Sequence, residues 1–225
     1  MKERGIIFNS EMVRAILDGR KTQTRRVMNN QPCTLPEETI SVQQDDFNFR
    51  WAGDLHNDTS GWFTCPLGKV GDRLWVRETW SVVSHEFDND GLMIDYVPDR
   101  PTKAVHEMPY GHGYFTGHVI YSADGDFTWG DDDGCIDGRS CWKPSIHMPR
   151  WASRITLEIT DVRVERLKDA GDTEFKAEGY PLDRELTGGS MDPFCWFRNL
   201  WDSVSPTNFK YADNPWVWVI EFKRI

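Results

Sequence analysis

The sequence predicts an α+β fold, and three segments carry that prediction. Residues 10–17 place apolar side chains at the spacing of one helical face. Apolar and polar residues alternate over 155–160, which is typical of a strand with one buried face. Residues 216–222 are almost continuously apolar and are predicted to form a C-terminal strand. Helices and strands are therefore both expected, far apart along one chain.

Length and charge limit the classes of function. A chain of 225 residues suits one elaborated domain or at most two small ones, and 39% hydrophobic residues suffice for a core. The formal net charge of −10 argues against a protein that holds a long nucleic-acid duplex by bulk electrostatics. A nucleoside, a nucleobase or a short single strand fits this charge better. The 11 tryptophans suit core packing for the most part, and base stacking is a second use.

Targeting and cysteine patterns favour a cytoplasmic protein. Met1-Lys2-Glu3-Arg4 leads directly into an apolar segment, so we expect no signal peptide, and no apolar run approaches membrane-spanning length. We therefore expect no membrane partner. The 5 cysteines include no C-x-x-C pair, so free reduced thiols are expected, with no metal site and no cofactor. They are Cys33, Cys65, Cys135, Cys141 and Cys195.

The most distinctive stretch is residues 18–26, which contains one Lys, two Thr and three Arg. We expect it to be a loop, because Ser10 can cap the preceding helix and Gly19 stands where a left-handed residue usually ends one. Lys21 and Thr24 lie three residues apart. A lysine beside a hydroxyl can stabilise an alkoxide or anchor an anion. The structural alternative is a solvated basic helix end. We interpret the stretch as the active or ligand-binding loop.

Other charged and aromatic residues have both a functional and a structural interpretation. Arg77 and Glu78 fall where a strand leaves the sheet, and they fit either a ligand or an intramolecular ion pair. Trp151 lies between Arg150 and Arg154, a combination that can stack a base or bind a phosphate. A structural Trp flanked by surface arginines is the alternative.

The remaining segments are assigned more briefly. Residues 27–60 look irregular, with an edge strand as one option near 47–51. Residues 81–145 look like an insertion with weak strand signals near 93–96 and 118–121, and 124–134 is expected to be a solvated acidic loop. Residues 173–179 and 192–201 read as helices, the first capped by Asp172 or Thr173. Glu178 at the end of the first needs a cation, for which Lys21 is suitable.

The pattern Gly19-x-Lys21-x-x-Thr24-x-Arg26 resembles the signature of the ASCH domain family, G-x-K-x-x-[ET]-x-R. Four further segments resemble family motifs in the same order: residues 71–76, 155–160, 177–179 and 218–222. The resemblance covers about residues 5–30, 68–80 and 150–225. It implies a PUA-like mixed β-barrel with flanking helices. We expect a single ASCH-like domain over 1–225, with the insertion at about 81–145.

The resemblance also implies an activity. Small bacterial members of the family hydrolyse the acetamide of N(4)-acetylcytidine with a Lys, a Thr and a Glu. These roles carry over to Lys21, Thr24 and Glu178, so we expect a metal-independent amidohydrolase acting on an N-acylated pyrimidine nucleoside. The candidate substrate-binding residues are Arg20, Arg25, Arg26, Arg77, Glu78, Trp151 and Arg154.

Two other classes of function stay open, because the chain is longer than the small hydrolases and closer to family members carried by phages and prophages. One is an RNA-binding or RNA-cleaving PUA-like module, which needs an open cationic surface. The other is a phage-type interaction protein that uses its acidic insertion. The expected partner is a nucleoside or RNA. The oligomeric state is open, with a monomer slightly favoured.

Overall fold

The computed structural model describes residues 1–32, 41–52, 61–88, 90–129 and 141–225. The helices are α1 Ser10–Leu17, α2 Asp172–Ala177, α3 Leu182–Thr187 and α4 Asp192–Val204. The strands are β1 Glu3–Ile7, β2 Gln23–Val27, β3 Ser41–Asp45, β4 Asn48–Ala52, β5 Arg73–Arg77, β6 Trp80–Val83, β7 His85–Phe87, β8 Met93–Asp95, β9 Lys103–Tyr110, β10 Gly113–Tyr121, β11 Thr156–Arg166 and β12 Trp216–Arg224. This mixture confirms the predicted α+β class. No helix in these ranges is long and apolar enough to cross a membrane.

Helix α1 has the bounds predicted for it, but its cap differs. The side chain of Asn9 accepts a hydrogen bond from the Met12 N–H at 2.8 Å, so Asn9 rather than Ser10 caps the helix. Ser10 is the first helical residue, and its hydroxyl contacts that of Ser122 at 2.9 Å. Gly19 follows the helix with a φ of +76°, which confirms its assignment as the left-handed terminating residue.

The chain forms two compact units. The first contains Met1–Arg4, Ala15–Leu74 and Leu157–Ile225, and the second contains Gly5–Arg14 and Trp75–Thr156. The predicted insertion at 81–145 lies wholly within the sequence of the second unit.

A five-stranded sheet has the order β1-β5-β11-β12-β2, and its strands β12 and β2 lie wholly in the first unit. Strands β11 and β12 pair antiparallel over nine residue pairs, and β2 pairs antiparallel with β12 as an edge strand. Among the described strands the sheet does not close into a barrel. The predicted loop at 18–26 was wrong in its second half, because Gln23–Val27 is a strand whose residues Thr24 and Arg25 lie opposite Ile220 and Val219.

Two aromatic layers cover the two faces of β12. On one face, Val217 and Val219 pack in a core with α2 and α4, which supply Phe175 and Phe197 among others. On the other face, Trp218 meets the ring of Phe49 on β4 at a centroid distance of 5.1 Å. The strand is thus buried on both faces, which explains its nearly continuous apolar sequence.

The second unit contains a three-stranded sheet in the order β6-β10-β9 and the small hairpin β7–β8. The predicted strands near 93–96 and 118–121 correspond to β8 and to the end of β10. The sequence did not predict β9, because its side chains are largely exposed and show no apolar alternation. Trp80, Val119 and Tyr121 are at the centre of this unit's core. Residues 130–134 of the predicted acidic loop at 124–134 lie outside the described residues.

Candidate functional site

The side chain of Lys21 is completely buried in the first unit. The turn after α1 holds its backbone, since the N–H of Lys21 donates to the carbonyl of Ala15 at 2.9 Å. Its Nζ donates to three oxygens: the carbonyl of Gln23 at 2.8 Å, the carbonyl of Glu178 at 2.9 Å and Oε2 of Glu178 at 2.6 Å. A lysine with this environment is held in one position and not free in solvent.

Burial lowers the pKa of Lys21 below its ordinary value, because a charged amine loses its hydration there. The carboxylate of Glu178 opposes this effect and raises the pKa. The positive charges of Arg26 and Arg25 lower it further. The net result is a lysine that loses its proton more easily than one on the surface, which is a property of a general base.

The predicted helix at 173–179 ends earlier than expected, at Ala177, so Glu178 directly follows α2, and its predicted ion pair with Lys21 is present. The next residue, Gly179, has a φ of +104° and turns the chain back towards α1. A Cβ on Gly179 would lie 2.9 Å from the Cβ of Ala15 and 3.2 Å from that of Lys21. A glycine is therefore required here for both its conformation and its small size. The N-cap of α2 is Gly171 and not the expected Asp172 or Thr173, and its N–H donates to Glu174 Oε2 at 3.0 Å.

Arg25 lies beside the second carboxylate oxygen of Glu178. Its Nη1 is 3.6 Å from Glu178 Oε1, and its Nη2 donates to Glu165 Oε2 at 3.3 Å. Only 1% of the Arg25 side chain is exposed. The structure thus brings Lys21, Glu178 and Arg25 together as a buried charge cluster.

Thr24 and Arg26 lie on the opposite face of β2 from Gln23 and Arg25, because successive side chains alternate along a strand. Thr24 is buried at 3% exposure. Partial burial lowers the pKa of Arg26, and the negative charge of Glu178 opposes this. Since Lys21 Nζ contacts the carbonyl of Gln23, the amine is held at the residue that immediately precedes Thr24.

Arg20 stabilises the turn that carries Glu178. Its Nη1 donates to the carbonyls of Gly179 at 2.9 Å and Tyr180 at 3.3 Å, and its Nη2 pairs with Asp18 at 3.0 Å. The structure therefore gives this candidate substrate-binding residue a structural contact.

Three residues beside the charge cluster were missed by the sequence analysis: Gln23, Arg163 and Glu165. Arg163 donates from Nη2 to Gln23 Oε1 at 2.9 Å and from Nε to Glu165 Oε1 at 2.5 Å. Its Nη1 also pairs with Asp161 at 3.0 Å and with Glu221 at 2.5 Å. The only signal in the sequence is the alternation of charges along 161–165, which also fits a solvated strand face.

In the second unit, Arg154 and Glu78 form an intramolecular ion pair, one of the two interpretations open from the sequence. Two guanidinium nitrogens of Arg154 donate to the two oxygens of Glu78 at 3.0 and 2.9 Å, and a third donates to Asp124 at 2.7 Å. The same guanidinium lies 3.9 Å from the ring centre of Tyr121. Burial raises the pKa of Glu78, and its hydrogen bonds with Arg154 oppose this.

Trp151 and Arg77 also have structural partners in the second unit. Trp151 donates from Nε1 to the carbonyl of Pro109 at 3.1 Å, and its ring lies 5.5 Å from that of Trp80 in a T-shaped pair. Arg77 donates to the carbonyl of Ile146 and lies over the ring of Trp75.

No group of three or more His, Cys, Asp or Glu residues suited to a metal ion occurs in the described part of the chain. Cys65 is buried, which raises the pKa of its thiol, while Cys141 and Cys195 are exposed. Cys33 and Cys135 lie outside the described residues.

We compared the chain with known protein families, with curated proteins and with solved structures, and none of them matches it.

Proposed function

We propose that the chain is an ASCH-type, PUA-like amidohydrolase that needs no metal and acts on an N-acylated pyrimidine nucleoside such as N(4)-acetylcytidine. The observation that carries the proposal is the buried ion pair between Lys21 and Glu178, with the lysine amine held one residue from Thr24. Perturbed pKa values cluster at functional sites, and that of Lys21 is lowered by burial. The signature resemblance assigns its role.

The proposed reaction has two steps. Neutral Lys21 takes the proton from the Thr24 hydroxyl while Thr24 Oγ1 bonds to the amide carbonyl carbon. The protonated amine then gives that proton to the N4 leaving group as the C–N bond breaks, which releases cytidine and leaves an acetyl ester on Thr24. Water hydrolyses the ester to acetate and restores the hydroxyl. Glu178 holds the lysine in place throughout.

The local charges support this chemistry. Lys21, Arg25 and Arg26 provide three cationic groups near the carboxylate of Glu178, and Arg25 also pairs with Glu165. The positive charges of Arg26 and Arg25 favour the neutral form of the lysine. Arg26, on the same face of β2 as Thr24, would also stabilise the negative charge that develops on the carbonyl oxygen during attack.

The RNA-binding alternative receives less support from the same residues. An RNA-binding surface would present its cations to solvent. Arg25 as a whole residue is only 5% exposed, and the guanidinium of Arg20 donates to main-chain carbonyls. These two arginines therefore do not offer such a surface.

The test is incubation of EDTA-treated protein with N(4)-acetylcytidine, following cytidine release by chromatography. We expect turnover by the natural sequence and a loss of about 10²–10⁴-fold in Lys21→Ala. Thr24→Ala should be equally impaired. Thr22→Ala is the matched control, because Thr22 is exposed two residues away, and it should retain full activity. Full activity of Lys21→Ala or Thr24→Ala in folded protein would disprove the mechanism.

A further inference from the structure

Gln23 and Glu178, the two residues that accept hydrogen bonds from Lys21 Nζ, are linked by a series of side-chain contacts on the face of β2 that carries Arg25. Gln23, whose carbonyl accepts from Lys21, has its side-chain oxygen bound by Arg163. Arg163 binds Glu165, and Glu165 binds Arg25. Arg25 in turn lies 3.6 Å from the carboxylate of Glu178. The series of contacts therefore begins at Gln23 and ends at Glu178, the two residues that accept hydrogen bonds from Lys21.

We propose that Arg25 is a positioning residue, which holds the Glu178 carboxylate against Lys21 and is itself held by Glu165 and Arg163. The inference rests on the proposed function for the role of Lys21 as a base. It changes the expectation from the sequence, in which Arg25 was a candidate for binding substrate.

Three observations favour positioning over substrate binding. The Arg25 side chain is 1% exposed, and its guanidinium lies 5.9 Å from the ring centre of Phe197 on α4, within the helix-covered core. It lies on the opposite face of β2 from Thr24, the proposed nucleophile. A substrate that reaches Thr24 is therefore separated from Arg25 by the strand itself.

Two buried polar atoms in this cluster also support a positioning role for Arg25. Arg25 Nη1 and Glu178 Oε1 are both buried, and within the described residues neither has a hydrogen-bond partner. At 3.6 Å they interact by charge alone, and a small rotation of either side chain would bring them into hydrogen-bond contact. Glu178 would then bind a cation through each oxygen, with Lys21 on Oε2 and Arg25 on Oε1.

This arrangement has a consequence for the protonation of Lys21. The positive charges of Arg25 and Arg26 favour the neutral amine of Lys21, and the carboxylate of Glu178 opposes them. Removing the charge of Arg25 should make Lys21 hold its proton to higher pH. Less neutral base would then be present at pH 7, while substrate binding should not change.

The experiment compares the natural sequence with Arg25→Met, Arg25→Lys and Arg184→Met. Arg184 pairs with Asp192 at 2.7 Å in the same unit, so its variant controls for the loss of one arginine. The first readout is the pH titration of the ¹⁵Nζ signal of Lys21, assigned by its absence in Lys21→Arg. The second is the pH profile of kcat, with KM measured alongside.

We expect the Lys21 titration in Arg25→Met to move to higher pH, with kcat at pH 7 reduced severalfold and KM unchanged. Arg25→Lys should restore most of the Lys21 titration and of kcat, and Arg184→Met should match the natural sequence in both measurements. Should Arg25→Met fail to fold, Arg25→Gln removes the same charge with a polar side chain and carries the same expectation.

The outcomes separate the two proposals. A shifted Lys21 titration in a protein that hydrolyses no acylcytidine would support the position of Arg25 and disprove the hydrolase. Hydrolysis with an unchanged titration in both neutral variants would disprove the role of Arg25. A higher KM with unchanged kcat would also disprove it, because Arg25 would then bind substrate.

Discussion

Glu178 accepts hydrogen bonds from Lys21 through two different oxygens, its main-chain carbonyl at 2.9 Å and its carboxylate Oε2 at 2.6 Å. The main-chain contact fixes the amine relative to the end of α2, and the carboxylate compensates its charge. Because Gly179 allows the close approach of the two segments, the position of the lysine depends on the backbone as much as on the ion pair. Four predictions concern this site and the buried pair of the second unit.

Removing Glu178 should cost more stability than removing Lys21. Glu178→Gln leaves the buried amine of Lys21 without a carboxylate and Arg25 with Glu165 alone, and we expect a loss of about 3–5 kcal/mol in the free energy of unfolding. Lys21→Met leaves Glu178 beside Arg25 and should cost clearly less. Urea denaturation of both variants measures the difference. Equal losses would mean that Arg25 does not compensate Glu178.

Gly179→Ala should be far more harmful than Gly19→Ala, although both glycines have a positive φ. At Gly19 an added Cβ meets no atom within 4 Å, so the cost is the backbone strain alone, about 1 kcal/mol. At Gly179 the Cβ would also press on Ala15 and Lys21, and we expect about 3 kcal/mol or more. Thermal unfolding compares the two, and similar melting temperatures would contradict the packing argument.

The stability of the protein should depend on the protonation of Lys21. Its pKa in the folded state is below the ordinary value of 10.5, so the unfolded chain binds more protons between those two values. The free energy of unfolding should therefore rise with pH through this window, and the contribution is lost as pH falls to the folded pKa. Lys21→Met should show a flatter dependence in urea titrations from pH 7 to 10. Parallel curves would place the lysine pKa near its ordinary value.

Arg154 and Glu78 should behave as a coupled structural pair in the second unit. Arg154→Met leaves Glu78, which is 1% exposed, without its cation, and we expect a loss of about 3–5 kcal/mol. Glu78→Gln combined with Arg154→Met should recover part of that loss. A double-mutant cycle of unfolding free energies measures the coupling. Additive losses would show that the two side chains do not stabilise each other, and a ligand role would then gain weight.

Local patterns were sufficient for much of the fold. The bounds of α1 follow from the spacing of its apolar residues, and β11 and β12 follow from alternation and from a continuous apolar run. The pairing of Lys21 with Glu178 was also predicted, because a carboxylate at a helix end needs a cation and Lys21 is a suitable one. Strand β9 could not be predicted from the sequence, because its side chains are mostly exposed and show no apolar alternation.

The sequence by itself provided the candidate residues for the proposed chemistry: a lysine, a threonine and a glutamate in motifs far apart along the chain. Only the tertiary structure decided that Thr24 and Arg25 lie on opposite faces of a strand. It also brought Gln23, Arg163 and Glu165 into contact beside the charge cluster. The physical reason is that a row of alternating charges looks the same in sequence whether it faces water or a neighbouring strand. Pairing of β2 with β12 gives these charges their partners, and burial gives Lys21 its lowered pKa.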